Sequence, residues 1–213
     1  MNYKMSPKEY FSKIIELYRN AREPEYYNPN VLRGRSASIS SGLEDLTAYF
    51  IALNNPNQCM YYVDQPIKFE GSTTKYPDVV IQNNNGVISN LIDVKTDIGW
   101  ARDKMLPFCQ EWESRIESIK GTKTTFKSGK DKTVMDGIFD INIKYHVFVI
   151  SKINSGNKID SDVDTVKKTL KNVCLYLLSD KLHPNNYKHS PNDTLDIIKI
   201  NTEEFDRFFS HIV

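Results

Sequence analysis

Residues 75–97 read KYPDVVIQNNNGVISNLIDVKTD, two short strand-like runs around an asparagine-rich turn, and no other stretch limits the fold so tightly. Asn85-Gly86 is the favoured pair for a two-residue hairpin turn in which both positions take a positive φ. With that turn, Asn84 pairs with Val87. Asp78 lies six residues before Asn84 and Asp93 six after Val87, so the two aspartates stand directly opposite each other. Opposed residues share a face, with Cβ atoms about 4.5–5.5 Å apart. A four-residue loop leaves them diagonal on one face, whereas a three-residue loop puts them on opposite faces. Lys95, two residues past Asp93, joins the same face. The other face takes Val79, Ile81, Ile92 and Val94, which is core-like.

Two carboxylates that close repel each other and destabilise a sheet. A divalent cation removes the conflict. Hard cations such as Mg²⁺ take one or two carboxylates and leave their other positions to water and phosphate oxygens. A protonated lysine beside them is no ligand, but it stabilises developing negative charge or positions a water. Two carboxylates, a cation and a lysine suit phosphodiester hydrolysis better than most chemistries. The competing reading is a solvated sheet face that carries Asp93 and Lys95, with Asp78 there by chance.

The 213 residues suit a single domain over 1–213, and 39% apolar content is enough for a sizeable core. A net charge of +1 neither marks nor excludes a nucleic-acid binder, since a local patch matters more than the total. Cys59, Cys109 and Cys174 are odd in number and far apart, and they form no zinc-ligand spacing with His146, His183, His189 or His211. The N-terminus lacks a signal-peptide core, and no run approaches the roughly 18 apolar residues of a membrane span. The expectation is a cytoplasmic protein with no membrane partner. No GxGxxG, P-loop or GxSxG is present, so no small organic cofactor is expected.

A helix is predicted over 6–21, with Ser6 and Glu9 as a capping box and Pro7 in the first turn. Residues 22–38 read as a loop or an extended lead-in, and a second helix is predicted over 41–53. CMYYV and PIKFE are strands ahead of the hairpin. Residues 106–120 are helical, with Phe108, Trp112, Ile116 and Ile119 on one side. Residues 121–137 read as a long loop or a poorly ordered hairpin, and NIKYHVFVIS as a central strand. A helix at about 162–180, a strand TLDIIKI and a last helix TEEFDRFFSHI complete the chain. The class is α/β or α+β, a mixed sheet flanked by helices.

Pro77-Asp78, then fourteen residues, then Asp93-Val94-Lys95, resembles the PD-(D/E)xK signature of the restriction-endonuclease-like nucleases. The match covers about 20 residues, and the signature is short. Both halves fall on adjacent predicted strands, an apolar strand and helices follow, and the preceding helix carries Glu44, where many members have an acid. Glu44 also completes a possible capping box with Ser41, and Asp45 is an equally close alternative acid.

The resemblance implies an αβββαβ core, here about 40–180, and metal-dependent cleavage of double-stranded DNA to 5′-phosphate and 3′-hydroxyl ends. Asp78 and Asp93 would hold Mg²⁺, with Mn²⁺ able to substitute, and the Val94 carbonyl would be a further ligand. Lys95 would activate the water, and Glu44 would help hold a second metal or water. The compact length is most like a type II restriction endonuclease, which implies a homodimer. Alternatives are a structure-specific or repair nuclease of the same fold, or a DNA-binding module without catalysis.

DNA would meet basic residues around that site. The segment 120–132, KGTKTTFKSGKDK, sets five lysines against one aspartate and offers Lys120, Lys123, Lys127 and Lys130 to phosphates. Arg102 and Lys104 follow the strand of Lys95, while Arg33, Arg35 and Ser41 precede Glu44. Trp100 reads as core or interface rather than a stacking platform. Asn185, Asn186, Tyr187 and Lys188 form another polar loop that could read bases. Each of these has an ordinary surface reading as well.

Overall fold

The computed structural model describes residues 3–26, 28–69, 74–99, 102 and 104–212. The chain runs α1 (Pro7–Asn20), α2 (Ser40–Asn54), β1 (Cys59–Val63), β2 (Ile67–Lys68), β3 (Thr74–Lys75), β4 (Val79–Asn83), β5 (Val87–Lys95) and α3 (Met105–Ile119). It continues with β6 (Lys123–Lys127), β7 (Val134–Val149), α4 (Ile159–Thr169), β8 (Val173–Leu177), β9 (Ser179–Asp180), α5 (Pro191–Ile197), β10 (Lys199–Ile200) and α6 (Thr202–Phe209). Trp100 lies outside the described residues. Among them, no helix is long and apolar enough to cross a membrane.

The main sheet runs β1-β4-β5-β7-β6, and β8 also pairs with β7. β7 has 16 residues and serves two neighbours on one edge. Its first part pairs antiparallel with β6 and its last part pairs parallel with β8, while β5 lies along its other edge in parallel. Alternation along the strands then feeds two cores. Val79, Ile81, Ile92, Phe148 and Ile150 join the aromatic cluster of Tyr10, Phe11, Phe50, Phe205 and Phe208 under α1, α2 and α6. Val80, Leu91, Tyr145, Val147 and Val149 face Cys109, Trp112, Ile116, Val163 and Phe126 on the other side.

The hairpin differs from its predicted form in an instructive way. Its loop has three residues, Asn84, Asn85 and Gly86, closed by the Gly86 amide on the Asn83 carbonyl at 3.0 Å. Asn83 Oδ1 accepts from the Asn85 and Val87 amides at 2.9 and 3.0 Å, and Gly86 takes φ +78°, where a side chain would be strained. By itself this loop would put the aspartates on opposite faces. Gln82 pairs with Ile88, yet Ile81 pairs with Asn90, so Ser89 is an unpaired extra residue in β5. This bulge restores the intended register, and Val79 pairs with Ile92.

Three other segments depart from their predicted forms. Residues 121–137 are mostly an ordered hairpin of β6 with the start of β7. The predicted long helix stops at Thr169, and VCLYL is the buried strand β8, whose entry is fixed by Glu113 accepting from the Lys171, Asn172 and Val173 amides. TLDIIKI is mainly helix α5, because Ser190 caps it and Pro191 sits at its first position. The capping box of Ser6 and Glu9 on α1 is present as predicted.

Candidate active site

Asp78 lies in the bend just before β4 and extends the restored register towards Asp93. β4 begins only at Val79, so β5 runs on past it with free backbone groups. Asp78 Oδ2 takes one of them, accepting the Val94 amide at 2.5 Å. The N–H and C=O of one strand residue leave on the same edge. The Val94 carbonyl therefore also points to the edge where β4 has ended, as a ligand would require.

Asp93 is only 6% exposed. Its Oδ1 accepts from Lys95 Nζ at 2.6 Å, and burial followed by the charges of Asp93 and Asp78 pushes the pKa of the buried Tyr145 hydroxyl up. Tyr145 is held by stacking on Trp112, with centroids 3.9 Å apart and planes 12° from parallel. Lys95 Nζ stands 5.9 Å from the centre of the Phe108 ring on α3. Burial and the Asp93 charge raise the Asp78 pKa well above the usual carboxylate range, and a side-chain hydrogen bond to Asp93 adds to the rise. The Val94 amide and the Lys95 charge only partly offset this. Without a cation, the pair is best satisfied by sharing a proton.

Glu44 is not a helix cap. α2 begins at Ser40 with Ile39 as its cap residue, and no side chain bonds there. The Glu44 carboxyl is instead half-buried at the site. Desolvation raises its pKa first, then the charges of Asp64 and Asp45; Asp93 adds a little and Lys95 opposes. Asp45 itself is exposed. Asp64, at the end of β1, does not stand out in the sequence. It has a left-handed backbone with φ 46°, and its amide donates to the Asp78 carbonyl at 3.0 Å. Its one signal is an aspartate closing an apolar strand, VD before QP, but only the β1–β4 pairing brings it to Asp78. Tyr145 escapes sequence reasoning too, since a tyrosine in an apolar strand reads as core.

The residues fit a hard cation through a half-buried Asp78 beside a buried Asp93, with a carbonyl next to them. The side chains of Glu44, Asp64, Asp78 and Asp93 do not form a closed cage. Among the described residues, the one trio of ligating side chains with donor atoms all within 4.8 Å is His146, Cys174 and His211. Their sequence spacing carries no hint of it. β7–β8 pairing sets His146 beside Cys174, and the residues after α6 bring His211. His146 Nε2 and Nδ1 lie 2.9 and 3.0 Å from Asn90 Oδ1 and the Tyr176 hydroxyl, which is 3.0 Å from His211 Nδ1. Burial, His211, and the nearby Arg207 and Lys144 charges hold His146 neutral. The trio is a hydrogen-bonded network in positive surroundings, buried at His146 and exposed at His211.

The predicted DNA-contacting residues fall in three places. Arg33, Arg35 and Ser41 are exposed before and at the start of α2. Arg102 and Lys104 are exposed after β5, with Arg102 packed over Gly156. Lys120 is tied to Glu117 at 2.6 Å, while Lys123 and Lys127 share the exposed face of β6 and Lys130 is at its tip. The hairpin curls back over the sheet. Gln65 Nε2 donates to the Lys127 carbonyl at 3.0 Å, so the end bearing Lys127 and Lys130 lies beside the segment of Asp64.

No protein-family model matches the chain, and no curated protein matches it.

Proposed function

We propose that the protein is a metal-dependent endonuclease of the restriction-endonuclease-like class, acting on double-stranded DNA. The observation that carries this is the pairing of half-buried Asp78 with buried Asp93, with Lys95 at its side and the Val94 carbonyl at the open strand edge. The order helix, three antiparallel strands, helix and a strand parallel to the third (α2, β1, β4, β5, α3, β7) supports the same class, with β2, β3 and β6 as additions.

Asp78, Asp93 and the Val94 carbonyl would hold Mg²⁺, or Mn²⁺ in its place, and the ion would supply Lewis-acid stabilisation of the phosphoryl oxygens. Lys95, tethered to Asp93, keeps a positive charge where negative charge grows on the phosphorus centre. Glu44, partly desolvated, helps hold the attacking water or a second ion. The water oxygen bonds to phosphorus, the bond to the 3′ oxygen breaks, and a proton ends on that oxygen. The products are 5′-phosphate and 3′-hydroxyl ends. One such site cuts one strand, so a double-strand break calls for two copies of the chain, as in a type II restriction enzyme.

Incubation of the purified protein with phage DNA and Mg²⁺ tests the reading. Discrete fragments support a sequence-specific enzyme, and preference for branched substrates supports a repair nuclease. No cutting of any DNA with Mg²⁺ or Mn²⁺ overturns the nuclease reading.

A further inference from the structure

Two arginines beside the site are held by carbonyl and amide oxygens. Arg19, at the end of α1, donates through Nη2 to the Asn186 and His189 carbonyls at 3.1 and 2.5 Å. Arg22 donates through Nη2 to Asn185 Oδ1 and the Asn186 carbonyl at 2.9 and 3.0 Å. Among the described residues neither meets a carboxylate, and the Nε–H of each is without a partner. Partial burial and the Arg19 charge both weigh against the Arg22 charge, a tension that an anion would remove.

Arg22 also sits over an aromatic ring. Its guanidinium carbon is 3.7 Å from the centre of the Tyr187 ring. Tyr187 is 62% exposed, and its hydroxyl meets the Ser36 hydroxyl at 2.9 Å. The lead-in strap is fixed again where the Ala37 amide donates to the Ala21 carbonyl at 2.8 Å. Arg33 and Arg35 are therefore carried on a segment pinned to the same cluster. The unmatched Nε–H is buried, so what Arg22 offers a phosphate is a charge held in place over the Tyr187 ring with no carboxylate to neutralise it.

The cluster is tied to the acidic site by a short chain of contacts. Asp97, two residues past Lys95, is 3.2 Å from His183 Nε2. His183 Nδ1 accepts the Asn185 amide at 3.0 Å, and Tyr18 packs edge-on against its ring. A chain of contacts thus runs from the strand of Lys95 through Asp97 and His183 to Asn185, Arg22 and Tyr187, while the Lys127 end of the hairpin lies beside the segment of Asp64.

We propose that Arg19, Arg22 and Tyr187, with Arg35 on the pinned strap, grip the phosphate backbone of duplex DNA beside the acidic site. This rests on the nuclease reading and gives that site its substrate-holding surface. The test is fluorescence anisotropy of a labelled duplex with Ca²⁺ in place of Mg²⁺, run across a salt series, with cleavage in Mg²⁺ or Mn²⁺ measured in parallel. Arg22→Gln is expected to weaken binding roughly tenfold or more and to lower the salt slope by about 0.9 for each phosphate no longer neutralised. Tyr187→Ala should weaken binding in the same direction, and Arg22→Lys should restore only part of it. Melting temperatures accompany each variant. If the arginines only bolt the 183–189 loop, Arg22→Gln lowers the melting temperature but keeps the wild-type salt slope, and the proposal falls. Wild-type protein that cuts DNA while Arg22→Gln binds normally overturns the surface alone. Binding abolished in Arg22→Gln from a wild type that never cuts supports the surface and sinks the nuclease. A wild type that neither binds nor cuts duplex DNA overturns both.

Discussion

Asp78 reaches past the end of its own strand to take the Val94 amide at 2.5 Å, and so sets its carboxylate beside that of buried Asp93. Two like charges gathered in this way are a cost to the fold, and a bound cation would relieve it. Asp78→Asn should therefore remove DNA cleavage while leaving the metal-free protein as stable as wild type or more so. Parallel cleavage assays and urea denaturation check this. A variant that still cuts would place the metal elsewhere.

Adding Mg²⁺ should raise the melting temperature of the wild type but not of Asp78→Asn or Asp93→Asn. A ligand present at a hundredfold excess over its Kd contributes about 2.7 kcal/mol. Differential scanning fluorimetry with Mg²⁺ and then EDTA measures the effect. Equal shifts in all three proteins would mean binding outside this pair.

Lys95 bridges to Asp93 and lies near the Phe108 ring, so its charge is placed rather than merely present. Lys95→Ala should lower the cleavage rate by roughly a hundredfold or more while duplex binding in Ca²⁺ stays near wild type. Gel-shift and single-turnover assays separate the two.

Asp64 occupies a left-handed backbone position at φ 46°. Asp64→Ala should destabilise the fold by about 1 kcal/mol, whereas Asp64→Gly should not. If both lose cleavage equally, the carboxylate rather than the backbone is what the site needs. Chemical denaturation beside cleavage assays tells them apart.

His146 is neutral in the folded protein because burial, His211, Arg207 and Lys144 hold its pKa well below 6.5. The unfolded chain takes a proton there as pH falls below about 6.5 and the folded chain does not, so this group removes stability on acidification. The stability difference between wild type and His146→Gln should shift towards the variant by up to about 1.4 kcal/mol per pH unit below that point. Asp78 acts in the opposite direction, since its raised pKa stabilises the fold as pH falls, but it is common to both proteins. Urea melts at several pH values between neutral and mildly acidic give the slope, and a constant difference would refute the assignment.

The site is legible wherever it rests on alternation along one strand pair. Asp78, Asp93 and Lys95 share a face as their spacing demands, although the Asn-Gly turn expected to set the register does not do so alone. The Ser89 bulge does, and nothing in the local sequence marks it, because a bulge is fixed by neighbours on both sides. At Ser89 the β5–β7 pairing is irregular as well. Asp64 and Tyr145 are illegible for a related reason: each reaches the site through a strand partner distant in sequence. VCLYL reads as part of a helix because no glycine or proline separates it from α4, and its strand state comes from pairing with β7. For TLDIIKI the Ser190-Pro191 start signal outweighs the β-branched run.

Ser89 makes heredity at the hairpin a matter of odd and even. A single residue inserted or deleted between Asn83 and Ser89 would rotate Asp93 and Lys95 into the aromatic side that holds Phe148 and Phe208. Two residues gained or removed there would leave both where they are. Descendants of this chain can vary the tip in pairs, or singly only if a second unpaired residue arises or Ser89 disappears in step. Drift at an exposed loop is thus coupled to the acidic centre through nothing more than counting.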